Sequence, residues 1–149
     1  MWNPSAILTC RASRTVEPAC AASLSAIGAS STHCVRRVDI CARWGGDEFI
    51  ILVRDCSATG LRQVAGALRD MMRQKPITIP NGETIAITIS VGAVLVSPPD
   101  TLDIATDMAD AALYAAKEEG RDRVVVFERA RDRNEIGTSQ DSDDLERAG

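Results

Sequence analysis

Hydrophobic residues recur with a period of two in several parts of this chain, which is the pattern of β-strands. Two such runs, residues 35–43 and 48–53, lie on either side of a Gly-Gly pair and predict a β-hairpin. Residues 77–91 predict a second hairpin, because Asn81-Gly82 separates two alternating β-branched runs and favours a tight turn.

Two other segments have the 3.6-residue period of amphipathic helices. The first begins at Leu61 and ends before Pro76. The second is capped by Asp100 or Thr101 and ends at Gly120. Its apolar stripe is predicted to be buried and consists of Ile104, Ala105, Met108, Ala112, Leu113 and Ala116.

The order of these elements predicts the fold class. Residues 91–96 are apolar at every position, which is typical of a central strand covered on both faces, and Gly92 within them indicates close backbone packing. Arg123–Phe127 forms a final strand. We therefore predict an α/β domain with a mixed sheet and at least two covering helices.

The ends of the chain differ from its middle. Residues 1–32 are rich in Ala, Ser and Cys, lack the basic start and apolar stretch of a secretory signal, and are predicted to be poorly ordered apart from a short helix at Ala21–Ile27. Residues 129–149 are highly charged and are predicted to form a disordered tail. One domain is expected between them, over residues 33–128.

Charge and cysteine content narrow the class of function. The net charge of −4 argues against bulk nucleic-acid binding, which needs a basic surface. No apolar run is long enough to span a membrane. The five cysteines are odd in number and lack a C-x-x-C pair, so we interpret them as reduced thiols of a cytoplasmic protein.

The Gly45-Gly46 turn carries the first candidate chemistry. Glycines allow a sharp reversal and leave room for a bulky polyanion near the backbone. Asp47 and Glu48 follow directly, and carboxylate oxygens are the ligands that Mg²⁺ prefers. By itself this pattern fits an ordinary hairpin with solvated acids equally well.

The segment Arg43–Phe49 resembles the signature loop of the GGDEF family, the diguanylate cyclases, and the resemblance extends from about Val35 to Phe127. It implies a fold like the catalytic palm of nucleotide cyclases. It also implies condensation of two GTP into cyclic di-GMP and pyrophosphate with Mg²⁺ or Mn²⁺, in bacterial second-messenger signalling. Catalysis in the family needs a homodimer in which each domain holds one GTP.

The resemblance assigns roles to the signature loop. It implies that Asp47 ligates the metal and helps to activate the attacking hydroxyl. Glu48 would contact nucleotide and metal, and Gly45 and Gly46 would lie against the phosphates.

Tyr114–Arg123 resembles the closing motif of the family, with Asp122 where the family usually has Asn. This resemblance implies that Lys117 and Arg121 bind the β- and γ-phosphates. Their spacing of four places both on one face if the helix continues. The alternative is a charged helix end that complements its own dipole.

Arg36 and Asp39 fit the RxxD inhibitory site of the family, at the family's spacing from the signature loop. The resemblance implies that cyclic di-GMP binds here as product feedback. The alternative is a surface ion pair of little energetic weight.

The chain departs from the family pattern before Val35. Active members have a strand there with a second metal-binding Asp, followed by an Asn and an Asp that bind guanine, whereas Asp39 is the first Asp of this chain. We therefore expect an N-terminally incomplete domain that lacks a central strand. Three hypotheses follow: an impaired cyclase, a non-catalytic module that binds cyclic di-GMP at Arg36 and Asp39, or a fragment without function.

Overall fold

The structure, a computed structural model, describes residues 5–12, 36–74, 76–78, 81–127 and 129. The predicted helix at Ala21–Ile27 and residues 130–149 of the predicted tail lie outside the described residues. The strands are β1 (Ser5–Ala12), β2 (Ile40–Gly45), β3 (Glu48–Val53), β4 (Ile77–Thr78), β5 (Thr84–Ile85), β6 (Ile89–Val96) and β7 (Val124–Phe127). The helices are α1 (Ala58–Gln74) and α2 (Leu102–Glu118).

The main sheet of the described residues has five strands in the order β2-β3-β1-β6-β7. β1 is antiparallel to both β3 and β6, whereas β6 and β7 are parallel. The predicted mixed sheet is therefore confirmed, as is the hairpin formed by β2 and β3. The second predicted hairpin is present but short, because β4 and β5 have two residues each and residues 86–88 interrupt the run that was expected to continue to Val91.

Strand β1 corrects two predictions about the N-terminal segment. Residues 5–12 are ordered rather than poorly ordered, and they fill the central position that was expected to be missing. β1 pairs along its length with β6, from Ser5 opposite Val96 to Ala12 opposite Ile89. The physical reason is the apolar run Ala6-Ile7-Leu8, which is at most 2% exposed and can be buried on both faces.

The two helices cover opposite faces of the sheet. Leu8 of β1 shares one apolar cluster with Leu61 and Leu68 of α1. Its neighbour Ile7 shares the other cluster with Ala105 and Ala109 of α2. Adjacent residues of a strand point to opposite faces, so α1 and α2 lie on opposite sides.

Helix α2 packs unusually close to β6. A Cβ atom added at Gly92 would lie 2.1 Å from the carbonyl oxygen of Ala109, so only glycine fits there. Thr101 caps α2, and its hydroxyl accepts a hydrogen bond from the backbone N–H of Ile104. Ile104 is itself 44% exposed, so the predicted buried stripe was wrong at this position. Neither described helix is long and apolar enough to cross a membrane.

Candidate functional site

The signature turn, Gly45–Glu48, joins β2 to β3. Gly46 has a φ of 53°, which is the left-handed conformation that favours glycine. Its carbonyl oxygen accepts hydrogen bonds from Nε and Nη2 of Arg43, at 3.0 and 2.9 Å. No heavy atom would lie within 4 Å of a Cβ added at Gly45 or Gly46, so the outer side of the turn is open.

Asp47 is not a solvated acid of the turn. The residue is only 9% exposed, and its Oδ2 accepts a hydrogen bond of 2.9 Å from Nε of Arg11. Nη1 of the same guanidinium lies 3.3 Å from Oε1 of Glu48. One arginine therefore bridges both carboxylates of the signature turn, and the hydrogen bond to Asp47 raises the pKa of Arg11.

Strand pairing fixes the position of Arg11. It lies opposite Glu48 of β3 on one side and opposite Ser90 of β6 on the other. It lies four residues after Ile7 in the same strand, so both side chains are on one face of the sheet, the face covered by α2. Thr9 lies between these two on the same face; its Oγ1 is buried and has no hydrogen-bond partner within the described residues.

Lys117, in the last turn of α2, interacts electrostatically with Arg11 and with the two acids of the signature turn. Burial lowers its pKa, and the positive charge of Arg11 lowers it further. The charges of Glu48, Asp47 and, less strongly, Asp110 act in the opposite direction. The charges of two acids and two cations therefore interact at one end of the central strands. They are contributed by β1, the signature turn and α2.

Arg121 is placed differently from Lys117. α2 ends at Glu118, and Gly120, Arg121 and Asp122 have φ values of 113°, 62° and 49°, so the chain leaves the helix in a left-handed turn. The helical spacing that predicted one shared face for Lys117 and Arg121 therefore does not apply, and Arg121 is exposed. Their joint action on one phosphate stays a prediction.

Asp122 stands where the family usually has Asn. Its Oδ2 lies 3.4 Å from Nε of Arg73, at the end of α1. The contact ties the turn after α2 to the helix on the other face of the sheet.

The residues present do not fit the metal site that the resemblance implies. Strand β1, at the central position of the sheet, carries no Asp or Glu: its sequence is SAILTCRA. Among the described residues, no three His, Cys, Asp or Glu side chains come together as ligands for an ion. Both acids of the signature turn are engaged by a guanidinium instead.

Arg36 and Asp39 form a second turn, which we call the arginine turn (Arg36–Asp39). Oδ2 of Asp39 accepts a hydrogen bond of 2.7 Å from the backbone N–H of Arg36, and Oδ1 accepts one of 3.0 Å from the N–H of Arg54. Nη2 of Arg36 donates to the carbonyl oxygens of Arg54 and Asp55 at 3.4 and 3.5 Å. Arg36 and Asp39 therefore lie together just before β2, against the loop that follows β3, with Arg36 exposed.

Sequence reasoning missed Arg11 and Thr9. The signal that could have found them is the apolar run Ala6-Ile7-Leu8, which is a strand pattern in a segment otherwise dismissed by its composition. The partner of Arg11 was not accessible from the sequence, since 36 residues separate it from Asp47.

Comparison with known proteins identifies the family. The chain belongs to the GGDEF domain family of diguanylate cyclases, whose model, described as "Diguanylate cyclase, GGDEF domain", matches residues 21–123. That match begins before residue 33, where the sequence predicted the domain to start, and β1 lies ahead of it.

Two relatives are similar in sequence. The chain is 36% identical over 110 residues to the uncharacterized protein YhcK of Bacillus subtilis, which covers 71% of this chain and 30% of YhcK. It is 36% identical over 93 residues to diguanylate cyclase DosC of Escherichia coli, which covers 62% of this chain and 20% of DosC. The chain thus spans less than a third of the length of either relative.

A solved structure has the same fold. The GGDEF domain of PA1120 (TpbB or YfiN) from Pseudomonas aeruginosa superimposes with a TM-score of 0.78 at 26% identity, over 90% of this chain and 83% of that one. The similarity confirms the predicted GGDEF fold, a palm-like mixed sheet flanked by helices.

Proposed function

We propose that this chain is a diguanylate-cyclase-type module that binds GTP at the signature turn and acts in cyclic di-GMP signalling, with impaired condensation. The observation that carries the proposal is the guanidinium of Arg11, fixed on both acids beside the open Gly45-Gly46 turn, and the charge of Lys117 interacts with the same group. A triphosphate needs fixed cations and backbone it can approach closely, and this edge of the sheet offers both. Arg121, on its exposed turn, is a further candidate phosphate contact.

Impaired condensation follows from the acids. In the family reaction a 3′-hydroxyl attacks an α-phosphate while pyrophosphate leaves, and metal ions stabilise the charge that develops. Mg²⁺ or Mn²⁺ would be held by Asp47 and Glu48 in that scheme, but here both carboxylates bind Arg11. A loss of a few kcal/mol of charge stabilisation lowers a rate by about tenfold per 1.4 kcal/mol. We therefore expect the chain to hold GTP and to form cyclic di-GMP slowly or not at all. As in the family, the form that would do so is a homodimer.

The test is GTP binding to the purified chain by calorimetry, together with chromatography of the products. Lys117→Ala should weaken GTP binding by about tenfold or more, the loss of about 1.4 kcal/mol expected for one charge-assisted phosphate contact. Arg37→Ala is the matched control, because it removes one positive charge from an exposed residue elsewhere. Equal affinity of Lys117→Ala and the parent would refute binding at this site. Rapid cyclic di-GMP formation that disappears in Asp47→Ala would refute the impairment.

A second candidate function is supported by the arginine turn. Asp39 holds the turn through two backbone N–H groups. Within the described part of the chain, the exposed guanidinium of Arg36 makes the long contacts to the carbonyl oxygens of Arg54 and Asp55. A planar guanidinium of this kind can exchange those contacts for a phosphate or a guanine edge. We propose cyclic di-GMP as the ligand of this turn.

Arg36→Ala and Arg37→Ala form a matched pair for this candidate, because both residues are exposed and adjacent. Titration with cyclic di-GMP should give an affinity about tenfold lower for Arg36→Ala and an unchanged affinity for Arg37→Ala. Equal affinities of the two variants would refute a specific role of Arg36.

A further inference from the structure

The central strand of the sheet carries a cation, Arg11, to the two acids of the signature turn. We propose that Arg11 is a built-in cation of the signature turn, occupying the position between Asp47 and Glu48 that a divalent ion would need, so that nucleotide binds here without metal. The claim about Arg11 concerns the chain alone, and the claim about nucleotide rests on the proposed binding of GTP.

The geometry of the guanidinium supports occupation of that position. Nε and Nη1 are directed at different carboxylates, at 2.9 Å from Asp47 Oδ2 and 3.3 Å from Glu48 Oε1. Mg²⁺ would need the same oxygens at about 2.0–2.1 Å with near-octahedral geometry. The side chain of Asp47 is only 12% exposed, so little of its carboxylate remains for a second cation.

The backbone holds Arg11 in this position. An arginine on a flexible loop could move aside for an ion, but Arg11 lies in a strand that is paired on both sides, opposite Glu48 and Ser90. Its guanidinium also stays charged at every pH at which the protein is folded. The charge carried by this position of the strand therefore does not depend on pH.

The neighbouring charges favour a bound anion over a second cation. The positive charge of Arg11 disfavours that of Lys117, and a divalent ion would add to that repulsion. A phosphate would relieve it. Arg11 also neutralises acids that would otherwise repel phosphate, which is part of what a metal would do for binding.

The first experiment measures Mn²⁺ binding to the whole chain without nucleotide, from the electron paramagnetic resonance signal of the free ion. The parent should show no site at the turn. Arg11→Asp should bind Mn²⁺ at least tenfold more tightly than the parent, and adding Asp47→Ala should remove the gain. Arg123→Gln is the matched control, because it frees a single carboxylate, that of Glu119, from an exposed ion pair.

Several results would overturn the proposal. One is Mn²⁺ binding by the parent that disappears in Asp47→Ala. Another is a folded Arg11→Asp variant without gain, since Arg11 would then not be what excludes the ion. If Arg11→Asp lacks a cooperative unfolding transition, the neutral Arg11→Gln variant decides by the same criterion, with gain supporting the proposal and no gain refuting it.

The second experiment compares GTP affinity of the parent in Mg²⁺ and in excess EDTA. Affinities within twofold of each other support metal-free binding, whereas a loss of more than tenfold in EDTA refutes it. If GTP does not bind in either buffer, the proposed function and the nucleotide half of this inference fail together. The Mn²⁺ result for Arg11 then still stands or falls by itself.

Discussion

The hairpin of β2 and β3 has an acidic turn near each of its ends, and the two turns are built differently. In the arginine turn, Asp39 accepts hydrogen bonds from backbone N–H groups 3 and 15 residues away. In the signature turn, Asp47 is bound by the side chain of Arg11, 36 residues away on another strand. The carboxylate of Asp39 is bound by backbone N–H groups, and that of Asp47 is paired with a cationic side chain.

The comparison separates a motif from its surroundings. Every letter of the signature turn is intact, and yet its electrostatic environment is set by a residue outside the motif. The arginine turn, which is a weaker pattern in sequence, has its environment almost entirely within its own hairpin. An intact motif therefore predicts the backbone more safely than it predicts the charge that a ligand meets.

The largest effect is expected from Gly92→Ala, which acts on the packing that carries Lys117 to the signature turn. The new Cβ would lie 2.1 Å from Ala109 O and 2.2 Å from Leu113 N, both backbone atoms of α2 that cannot give way separately. The free energy of unfolding should fall by about 3 kcal/mol or more, measured by urea denaturation. Gly66→Ala is the control, since its Cβ meets nothing within 4 Å in mid-α1, and it should gain about 0.5–1 kcal/mol. A small loss in Gly92→Ala would contradict the close packing.

A double-mutant cycle on Arg11 and Asp47 measures the charge neutralisation itself. The coupling free energy should be about 1 kcal/mol, reduced from that of a buried pair because Arg11 is 43% exposed. The exposed pair Arg123–Glu119 serves as reference and should give about 0.3–0.5 kcal/mol. Coupling of Arg11 and Asp47 no larger than this reference would show that the signature turn is as weakly tied as a surface pair.

The pH dependence of GTP binding tests whether GTP binds at the signature turn, because Lys117 interacts with the charges there. Burial, reinforced by Arg11, lowers its pKa below 10.5, so its charge is lost at a lower pH than that of a free lysine. GTP affinity should therefore fall as the pH rises through this window, and Lys117→Arg should retain it. Because the folded pKa lies below the unfolded value, the unfolded chain binds more protons there, and this group's contribution to stability rises with pH. Parallel pH profiles for parent and Lys117→Arg would exclude Lys117 as the titrating contact.

The last prediction has the smallest effect on the two turns themselves and concerns the strands that carry them. Cys10, beside Arg11 in β1, is buried, and this burial raises its pKa to about 12, whereas Cys41 in β2 is exposed. Since the thiolate is the reactive form, Cys41 should be alkylated much faster than Cys10 at pH 8, as followed by mass spectrometry of peptides. Comparable rates would mean that β1 opens as readily as the edge strand.

The local parts of the fold were predictable, and the reason is periodicity. The helices, both hairpins and the apolar strand β6 each follow from residues a few positions apart. The predictions failed where the decision was not local. Ile104 fits the helical stripe but lies in the first turn of α2 and is exposed, and residues 86–88 alternate like a strand but lie between β5 and β6.

The sequence by itself determined the signature turn, the arginine turn and membership of the family. Each depends on glycine conformation or on the spacing of residues a few positions apart. Only the tertiary structure decided that residues 5–12 form the central strand and that Arg11 meets Asp47 and Glu48. That contact depends on the register of the ladder between β1 and β3, in which Arg11 lies opposite Glu48. A shift of one residue would turn Arg11 to the opposite face, so its role is set by the burial of Ile7 and Leu8 on the two sides of the sheet.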